Sequence, residues 1–280
     1  MNETRTPPPD VDFFRGARAV CRLALPMTLW SRRTLLMTML GIFLPLTAAL
    51  FLAVKAIPDA GIHTPGYIFY SNAFQFVQYY VMLLALFYGT AVVAEEIDGK
   101  TLTYLLVRPV PRSAILLGKG IAAWLIGALI LAPLLTITFV LFTLGDGLLY
   151  EGNASSFMVN FPTLLSDLVL TMGTLAVYTA LFLFIGAYFK RPVLWAIAIA
   201  FGWESWVAFV PGLTRKLTVM HYVQSLSSHA SGRNIAVSAL EQQTGTIQSI
   251  LALVLIFALF AALSAWVFGR QEYFFDMSER

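Results

Sequence analysis

The stretch IAAWLIGALILAPLLTITFVLFTL, residues 121–144, contains no charged side chain. A helix needs about 20 apolar residues to cross the hydrocarbon core of a bilayer, and this run is long enough. It is continuously apolar rather than alternately apolar and polar, which is typical of a membrane helix and not of a barrel strand. Residues 121–144 therefore predict a membrane-spanning helix.

Five further stretches have the same character, so the sequence predicts an all-α integral membrane protein with six transmembrane helices. They are residues 35–54, 73–94, 164–189, 193–210 and 247–268, the fourth of these being interrupted by Gly202, Trp203 and Glu204. The composition agrees, with 59% hydrophobic and 12% charged residues, whereas an average soluble domain carries about 25% charged residues. The single cysteine, Cys21, excludes an intrachain disulfide framework.

The distribution of Lys and Arg predicts the orientation. If the N-terminus is cytoplasmic, all but four of the 18 Lys and Arg residues lie on the cytoplasmic side, the exceptions being Lys55, Arg215, Lys216 and Arg233. Cytoplasmic loops of membrane proteins carry such an excess of positive charge. The expected organisation is a cytoplasmic N-terminus with an interfacial helix (1–34), a six-span domain (35–268) with an outer segment (211–246), and a cytoplasmic tail (269–280).

Residues 13–30, before the first predicted span, have the pattern of an interfacial amphipathic helix. A helix with one apolar and one basic face lies in the headgroup region and attracts anionic lipids, so membrane lipids are expected partners. No Lys- or Arg-rich run indicates binding to nucleic acid. The apolar face comprises Phe13, Phe14, Ala17, Val20, Leu23 and Ala24, and the basic face comprises Arg15, Arg18 and Arg22.

The stretch AEEIDGKT, residues 94–101, fits a permissive version of the phosphate-binding loop. That loop works by joining a strand to a helix, so that backbone N–H groups surround the phosphates. Here the stretch follows a predicted membrane helix, and its acidic residues Glu95, Glu96 and Asp98 would repel a triphosphate. We therefore expect no ATP, and no other cofactor, to be bound by this chain.

The cytoplasmic loop 95–119 has the pattern of a short docking element. After a turn at Asp98-Gly99, the residues Leu102, Leu105 and Leu106 share one face of a predicted helix. Pro109 and Pro111 end it. Such a helix fits a groove on a partner, or lies flat on the bilayer, and the pattern alone leaves both interpretations open.

The stretch AVVAEEIDGKTLTYLLVRPVPRSAILLGKGIAAW, residues 91–124, resembles the signature region of ABC transporter permeases of the type-2 exporter class. In that family a span ends in acidic residues and is followed by a glycine turn, a leucine-rich coupling helix and a Pro-x-x-Arg step. A lysine then enters the next span. The ATPase-coupling residues that this resemblance implies are Glu95, Glu96, Gly99, Lys100, Thr101, Leu102, Leu105, Leu106, Pro109, Arg112 and Lys119.

The resemblance implies a function for the whole chain. Two permease copies, or the chain and a paralogue, would pair around a translocation pathway with the type V exporter architecture. Two soluble ABC ATPase subunits would bind ATP and Mg²⁺ beneath them. This chain would be a transporter subunit and not itself an enzyme, located in the inner (plasma) membrane with both termini cytoplasmic. The resemblance does not identify the substrate.

Glu204 is the predicted pathway residue, because a carboxylate at membrane depth should face protein or a water-filled cavity. Protonation, a hydrogen bond to Ser205 or a cation of a partner subunit would stabilise it. The alternative is that the span ends early and Glu204 lies at the interface, between the anchors Trp203 and Trp206. Asp167 is expected to be an N-terminal charge at the start of the fourth span.

The three histidines, His63, His221 and His229, are predicted on the outer side. The spacing of His221 and His229 is not a standard helical metal spacing, so we expect solvated side chains and no metal site. Crowded aromatic residues at the start of the second span are expected to pack, or else to line an apolar vestibule. They are Tyr67, Phe69, Tyr70, Phe74, Phe76, Tyr79 and Tyr80.

Two other function classes remain as alternatives. An ion-coupled secondary transporter or channel would use a membrane-embedded charge such as Glu204 and would work without an ATPase. An intramembrane metalloprotease of the CAAX-processing type would use Glu95 and Glu96, since EEIDGK resembles its Glu-Glu-x-x-x-Arg motif. That chemistry needs the glutamates and a histidine together, and they are expected on opposite sides of the membrane.

Overall fold

The computed structural model of the chain describes residues 13–55, 57, 66–98, 112–149, 155–207, 213–227, 229 and 244–270. Every regular element in these ranges is helical, and none of them contains a strand. Five of the helices are long and apolar enough to cross a membrane. The chain is therefore an all-helical, multi-pass membrane protein, as its hydropathy predicts.

The helices follow one another as an antiparallel bundle. A first helix precedes the spans, α1 (Phe13–Leu29). Three short elements follow the fourth span: α6 (Pro192–Val207), a 3₁₀ turn (Leu213–Leu217) and α7 (Val219–Leu226). The five long apolar helices are α2 (Arg32–Lys55), α3 (Gly66–Asp98), α4 (Arg112–Leu149), α5 (Ser155–Tyr188) and α8 (Thr246–Arg270).

Five of the six predicted spans lie within these long helices, whereas the predicted span 193–210 differs. Its described part, α6, is a shorter apolar helix than the other five. Pro192 starts it directly after the charged pair Lys190 and Arg191. From Ala198 to Glu204 it is a π-helix, and a π segment often marks a functional site.

The core of the bundle lies among α3, α4 and α5. Small residues let α3 and α5 approach closely, as is common between membrane helices. A Cβ atom on Gly89 would lie 2.9 Å from the Cβ atom of Phe182, and a Cβ atom on Gly186 would lie 3.2 Å from the carbonyl oxygen of Thr90. The helices α2 and α8 are peripheral and expose large apolar side chains along their length, which suits contact with lipid.

The two ends of the bundle differ in character. At one end Leu116 of α4, Ala187 of α5 and Phe268 of α8 form a cluster. The adjoining helix ends carry Arg112, Lys190, Arg191 and Arg270, and we call this the basic end. At the opposite end, aromatic rings of α2, α3 and α4 meet. The ring centroid of Phe142 lies 5.5 Å from that of Phe51 and 6.2 Å from that of Tyr70.

The predicted interfacial helix is confirmed as a helix, α1, but one of its sides packs against protein. Gly16, Ala17 and Cys21 are buried. At Gly118 of α4, an added Cβ atom would meet the carbonyl oxygen of Ala17, so the two backbones are nearly in contact. The arginines of α1 and several apolar side chains stay exposed: Arg15, Arg18, Arg22, Phe14, Leu23 and Met27.

Candidate functional site

The predicted coupling residues divide between the end of α3, the start of α4 and the segment between them. Glu95 and Glu96 belong to the last turns of α3, Arg112 is the first residue of α4, and Lys119 lies two turns further on. The remaining members lie outside the described residues: Gly99, Lys100, Thr101, Leu102, Leu105, Leu106 and Pro109. Their predicted helix and its docking role stay predictions.

The described part of the chain brings Glu204 into a defined polar site in the interior of the bundle, where α5, α6 and α7 meet. Glu204 is only 3% exposed. Its Oε2 atom accepts hydrogen bonds from the Tyr178 hydroxyl at 3.1 Å and from the Met220 N–H at 3.1 Å. Its Oε1 atom accepts one from the Val219 N–H at 3.1 Å. One carboxylate thus joins α5, α6 and α7.

These bonds cap the N-terminus of α7. The first N–H groups of a helix have no partner within it, and a negative charge beside them is favourable. Glu204 accepts from the first two residues of the helix, Val219 and Met220. The Thr218 hydroxyl, at the N-cap, accepts from the N–H of His221 at 3.3 Å. Glu204 therefore occupies the place beside these N–H groups where an external anion could otherwise bind.

A solvent-exposed position for the Glu204 side chain at the interface is wrong, because the carboxylate is buried while its neighbours face outward; the depth of Glu204 in the membrane stays a prediction. Trp203 is 47% exposed and Trp206 is 77% exposed. The predicted hydrogen bond to Ser205 is also wrong: the Ser205 hydroxyl donates to the carbonyl oxygen of Ala200, five residues earlier, as π geometry allows. The role of Glu204 in translocation stays a prediction.

His221 forms a second connection between α7 and the bundle. Its Nε2 atom lies 3.1 Å from the hydroxyl of Thr244, two residues before α8. Burial lowers the pKa of His221, and the nearby cations Arg215 and Lys216 lower it further. Both effects favour the neutral imidazole. His221 is buried, so the prediction of a solvated side chain is wrong for this residue.

Asp167 and His229 form a third polar cluster, which the sequence did not predict. Asp167 Oδ2 accepts a hydrogen bond from the Tyr70 hydroxyl at 2.8 Å and lies 2.9 Å from His229 Nε2. His229 Nδ1 lies 3.1 Å from the Ser71 hydroxyl. The ring centroids of Tyr70 and Phe74 lie 5.1 and 5.0 Å from the centroid of the His229 imidazole. This cluster, the Asp167 cluster, fastens residue 229 to α3 and α5.

Two predictions are therefore corrected. Asp167 is not an N-terminal charge, because α5 begins at Ser155 and Asp167 is buried well inside it. His229 is not solvated, since its side chain is only 11% exposed. The sequence showed one sign of this cluster, an acidic residue in an apolar stretch. The partner histidine is 62 residues away, and no local pattern connects the two.

Ser71, His229 and Asp167 are the residue types of a hydrolytic triad, but their setting is different. A triad needs N–H donors near the serine to stabilise an oxyanion. Ser71 lies within α3, where the backbone N–H groups around it are used by the helix. The geometry of Ser71, His229 and Asp167 therefore fits a structural contact rather than a catalytic site.

Of the crowded aromatic residues, Tyr70, Phe74 and Tyr80 are buried in the core, whereas Phe76 is 63% exposed. The Tyr80 hydroxyl donates to the carbonyl oxygen of Met37 at 2.6 Å and so joins α3 to α2. Packing is therefore the role of the three buried rings. The side chains of Tyr67 and Phe69 lie outside what is described.

Within the described ranges no three His, Cys, Asp or Glu residues come together as a metal site would require. His221 and His229 lie at the opposite end of the bundle from the helix end that carries Glu95 and Glu96. His63 lies outside the described residues. The glutamate–histidine pairing of a metalloprotease is thus not formed by the two described histidines.

Comparison with known proteins gives a family and no activity. A search among curated proteins returned no match. Residues 50–274 match the model of a family described as a protein of unknown function, DUF2705. Because this match covers well over half of the 280 residues, the chain belongs to the DUF2705 family.

Proposed function

We propose that the chain is the membrane-spanning permease subunit of an ATP-driven ABC exporter. The observation that carries this proposal is the position of the two helix ends that flank the predicted coupling helix in loop 95–119. The end of α3 at Asp98 and the start of α4 at Arg112 belong to the basic end, together with Lys190 and Arg191. By the positive-inside rule this end is cytoplasmic, where a soluble ATPase can reach loop 95–119.

The rest of the proposed assembly follows from the same orientation. Both termini are cytoplasmic, the membrane is the inner (plasma) membrane, and residues 193–210, whose described part is α6, form the remaining span. Two such chains, or one chain and a paralogue, pair around the pathway. The partner ATPases bind ATP and Mg²⁺. The exposed apolar surfaces of α2 and α8 are available to lipid and to the second copy.

A continuous helix supports the transmission of movement from the ATPase. Helix α4 extends without a break from Arg112, beside the coupling loop, to Leu149 at the opposite end. Lys119 lies on its first turns, next to the close contact of Gly118 with α1. A push on the loop would therefore shift the first turns of α4 and α1 together, because the two backbones are nearly in contact there.

In this proposal Glu204 controls the pathway by holding α7 in position. Its carboxylate accepts three hydrogen bonds, so direct contact with a substrate requires at least one of them to break. Opening of the exit side would involve the release of α7 from Glu204. This assigns to Glu204 a role in gating rather than in first contact with the substrate.

The docking assignment is tested by a pair of double variants with equal added charge. Leu102→Asp/Leu106→Asp places two carboxylates on the predicted apolar face of the coupling helix. Thr103→Asp/Tyr104→Asp places them off that face. Because a buried, unpaired carboxylate opposes docking, we expect the first variant to lose at least about 90% of the ATPase that co-purifies with the wild-type chain. The second variant should retain most of it.

Equal retention of the ATPase by both variants would contradict the docking assignment. Equal loss from both would show that added charge anywhere in the loop prevents association, and the specific face would then be wrong. Amounts of membrane-inserted chain are compared first, so that a folding defect is not counted as a loss of docking.

A second candidate, an ion-coupled transporter, is favoured by one observation. Two carboxylates, Asp167 and Glu204, are buried within apolar helices, and charges at such depth often belong to ion pathways. The two functions differ in energy source. Transport by the reconstituted chain alone, driven by an ion gradient, would support this candidate and contradict the ABC proposal.

A further inference from the structure

A small cavity of about 10 Å³ lies between α3 and α7, near the opposite end of the bundle from the coupling loop. Its walls are partly apolar, from Phe74, Met220 and Val223, and partly polar, from glutamines that include Gln78 and from Ser227. None of the lining side chains is charged. The volume is about that of a single water-sized probe, so in this conformation the cavity has room for no more than about one water molecule.

Gln78 is the unusual member of this lining. Its side chain is only 4% exposed. Neither its Oε1 nor its Nε2 atom has a hydrogen-bond partner among the described residues. Buried polar side chains in native proteins are almost always paired, because loss of their hydrogen bonds to water is unfavourable. An acceptor and a donor on the same carboxamide are therefore available to a molecule that enters the cavity.

The chemistry of the lining defines what would bind. A carboxamide with both atoms available is complementary to a group that donates and accepts side by side, as another amide does. The uncharged walls offer no counter-ion, which disfavours an ionised ligand in a buried site. Phe74, Met220 and Val223 supply apolar contacts for a hydrocarbon portion.

We propose that Gln78 is the recognition residue of a binding site for neutral amphipathic amides, located between α3 and α7. This inference names a substrate class for the proposed exporter and so rests on that function, but ligand binding is measurable on the chain alone. A ligand larger than water enters only if α7 moves away from α3. Because Glu204 and His221 fasten α7 to α5, α6 and the start of α8, their hydrogen bonds set how readily the site opens.

The test uses ligands with one tail and different head groups. The full-length chain in lipid nanodiscs is titrated with decanamide, decyl methyl ether and decyltrimethylammonium, and the unfolding temperature is recorded. Decanamide should raise the unfolding temperature of the wild type. Gln78→Met, which keeps the length of the side chain, should weaken the apparent affinity for decanamide at least about tenfold. The matched control is Gln248→Met, at an exposed glutamine on α8, and should bind as the wild type does.

The proposal would be overturned if decanamide shifted the unfolding temperature of the wild type and of Gln78→Met equally. It would also be overturned if decanamide shifted neither. The cavity would then hold no more than water. If Gln78→Met does not fold, Gln78→Glu provides the test: its added carboxylate should transfer the preference from decanamide to decyltrimethylammonium. An unchanged preference would equally overturn the proposal. Because no ATPase is present, failure here is distinct from failure of the proposed exporter function.

Discussion

At the scale of single residues, Glu204 shows how a charge at membrane depth is made tolerable. Three donors surround the carboxylate: a hydroxyl from α5 and two N–H groups from α7. Each hydrogen bond to a charged group contributes about 1.5–3 kcal/mol. Glu204 is the last residue of the π segment Ala198–Glu204. At this position its side chain points inward, while its neighbours Trp203 and Trp206 face outward.

The substitution Glu204→Gln is predicted to destabilise the protein by about 1–3 kcal/mol. A carboxamide keeps one acceptor oxygen but turns an NH₂ group toward a backbone N–H or the Tyr178 hydroxyl, so at least one donor loses its partner. Denaturant unfolding in detergent measures the change. Ser205→Ala is the control, because the Ser205 hydroxyl bonds only within its own helix. Equal stability of Glu204→Gln and wild type would show that the cap is energetically unimportant.

The sequence revealed the charges of these sites but not their partners. Glu204 and Asp167 are visible as acidic residues in apolar stretches. The groups that satisfy them come from positions 26 and 62 residues away, Tyr178 and His229. Such contacts depend on how helices pack, and a single sequence contains no local signal for them. Gln78 likewise carries no signal in the sequence, because a glutamine within an apolar helix is unremarkable until its burial and the absence of a partner among the described residues are known.

At the scale of elements, the existence of helices was predictable and their ends were not. Hydropathy indicated 73–94, 121–144 and 164–189, whereas the helices extend over Gly66–Asp98, Arg112–Leu149 and Ser155–Tyr188. The reason is physical: the apolar pattern marks only the part of a helix in hydrocarbon, and the backbone continues as a helix beyond it. The misplacement of Asp167 at a helix start had this cause.

The α1–α4 contact gives a prediction at this scale. In Gly118→Ala the new methyl group would overlap with the carbonyl oxygen of Ala17, so α1 must shift away from α4. Overpacking of this kind costs about 1–3 kcal/mol. Cys21, the only cysteine of the chain, is buried in α1 and reports the shift. Its labelling by a maleimide should become faster.

The control for this variant is Gly173→Ala, where an added Cβ atom meets nothing within 4 Å. It should label as slowly as the wild type. A labelling rate of Gly118→Ala equal to that of Gly173→Ala would mean that α1 accommodates the methyl group without moving. The close contact would then have no part in fastening α1 to the span that follows the coupling loop.

At the scale of the whole molecule, the arrangement combines a tightly packed centre with two distinct ends. The central helices α3, α4 and α5 hold most of the buried residues, whereas α2 and α8 present apolar side chains outward. The basic end adjoins loop 95–119, the interior holds Glu204, and the half of the bundle away from that loop carries His221, the Asp167 cluster and the cavity at Gln78. The proposed exporter, which would receive a push at one end and open at the other, needs this separation of tasks.

The central claim, that this chain works with a separate ATPase, is tested most directly by native mass spectrometry. The tagged chain is purified in mild detergent from its natural host, and the mass of the intact assembly is measured together with its ATP hydrolysis. We predict an assembly of two membrane chains and two soluble ATPase subunits that hydrolyses ATP. A chain that purifies without any ATPase subunit and without ATP hydrolysis, while it still transports in vesicles, would contradict the account.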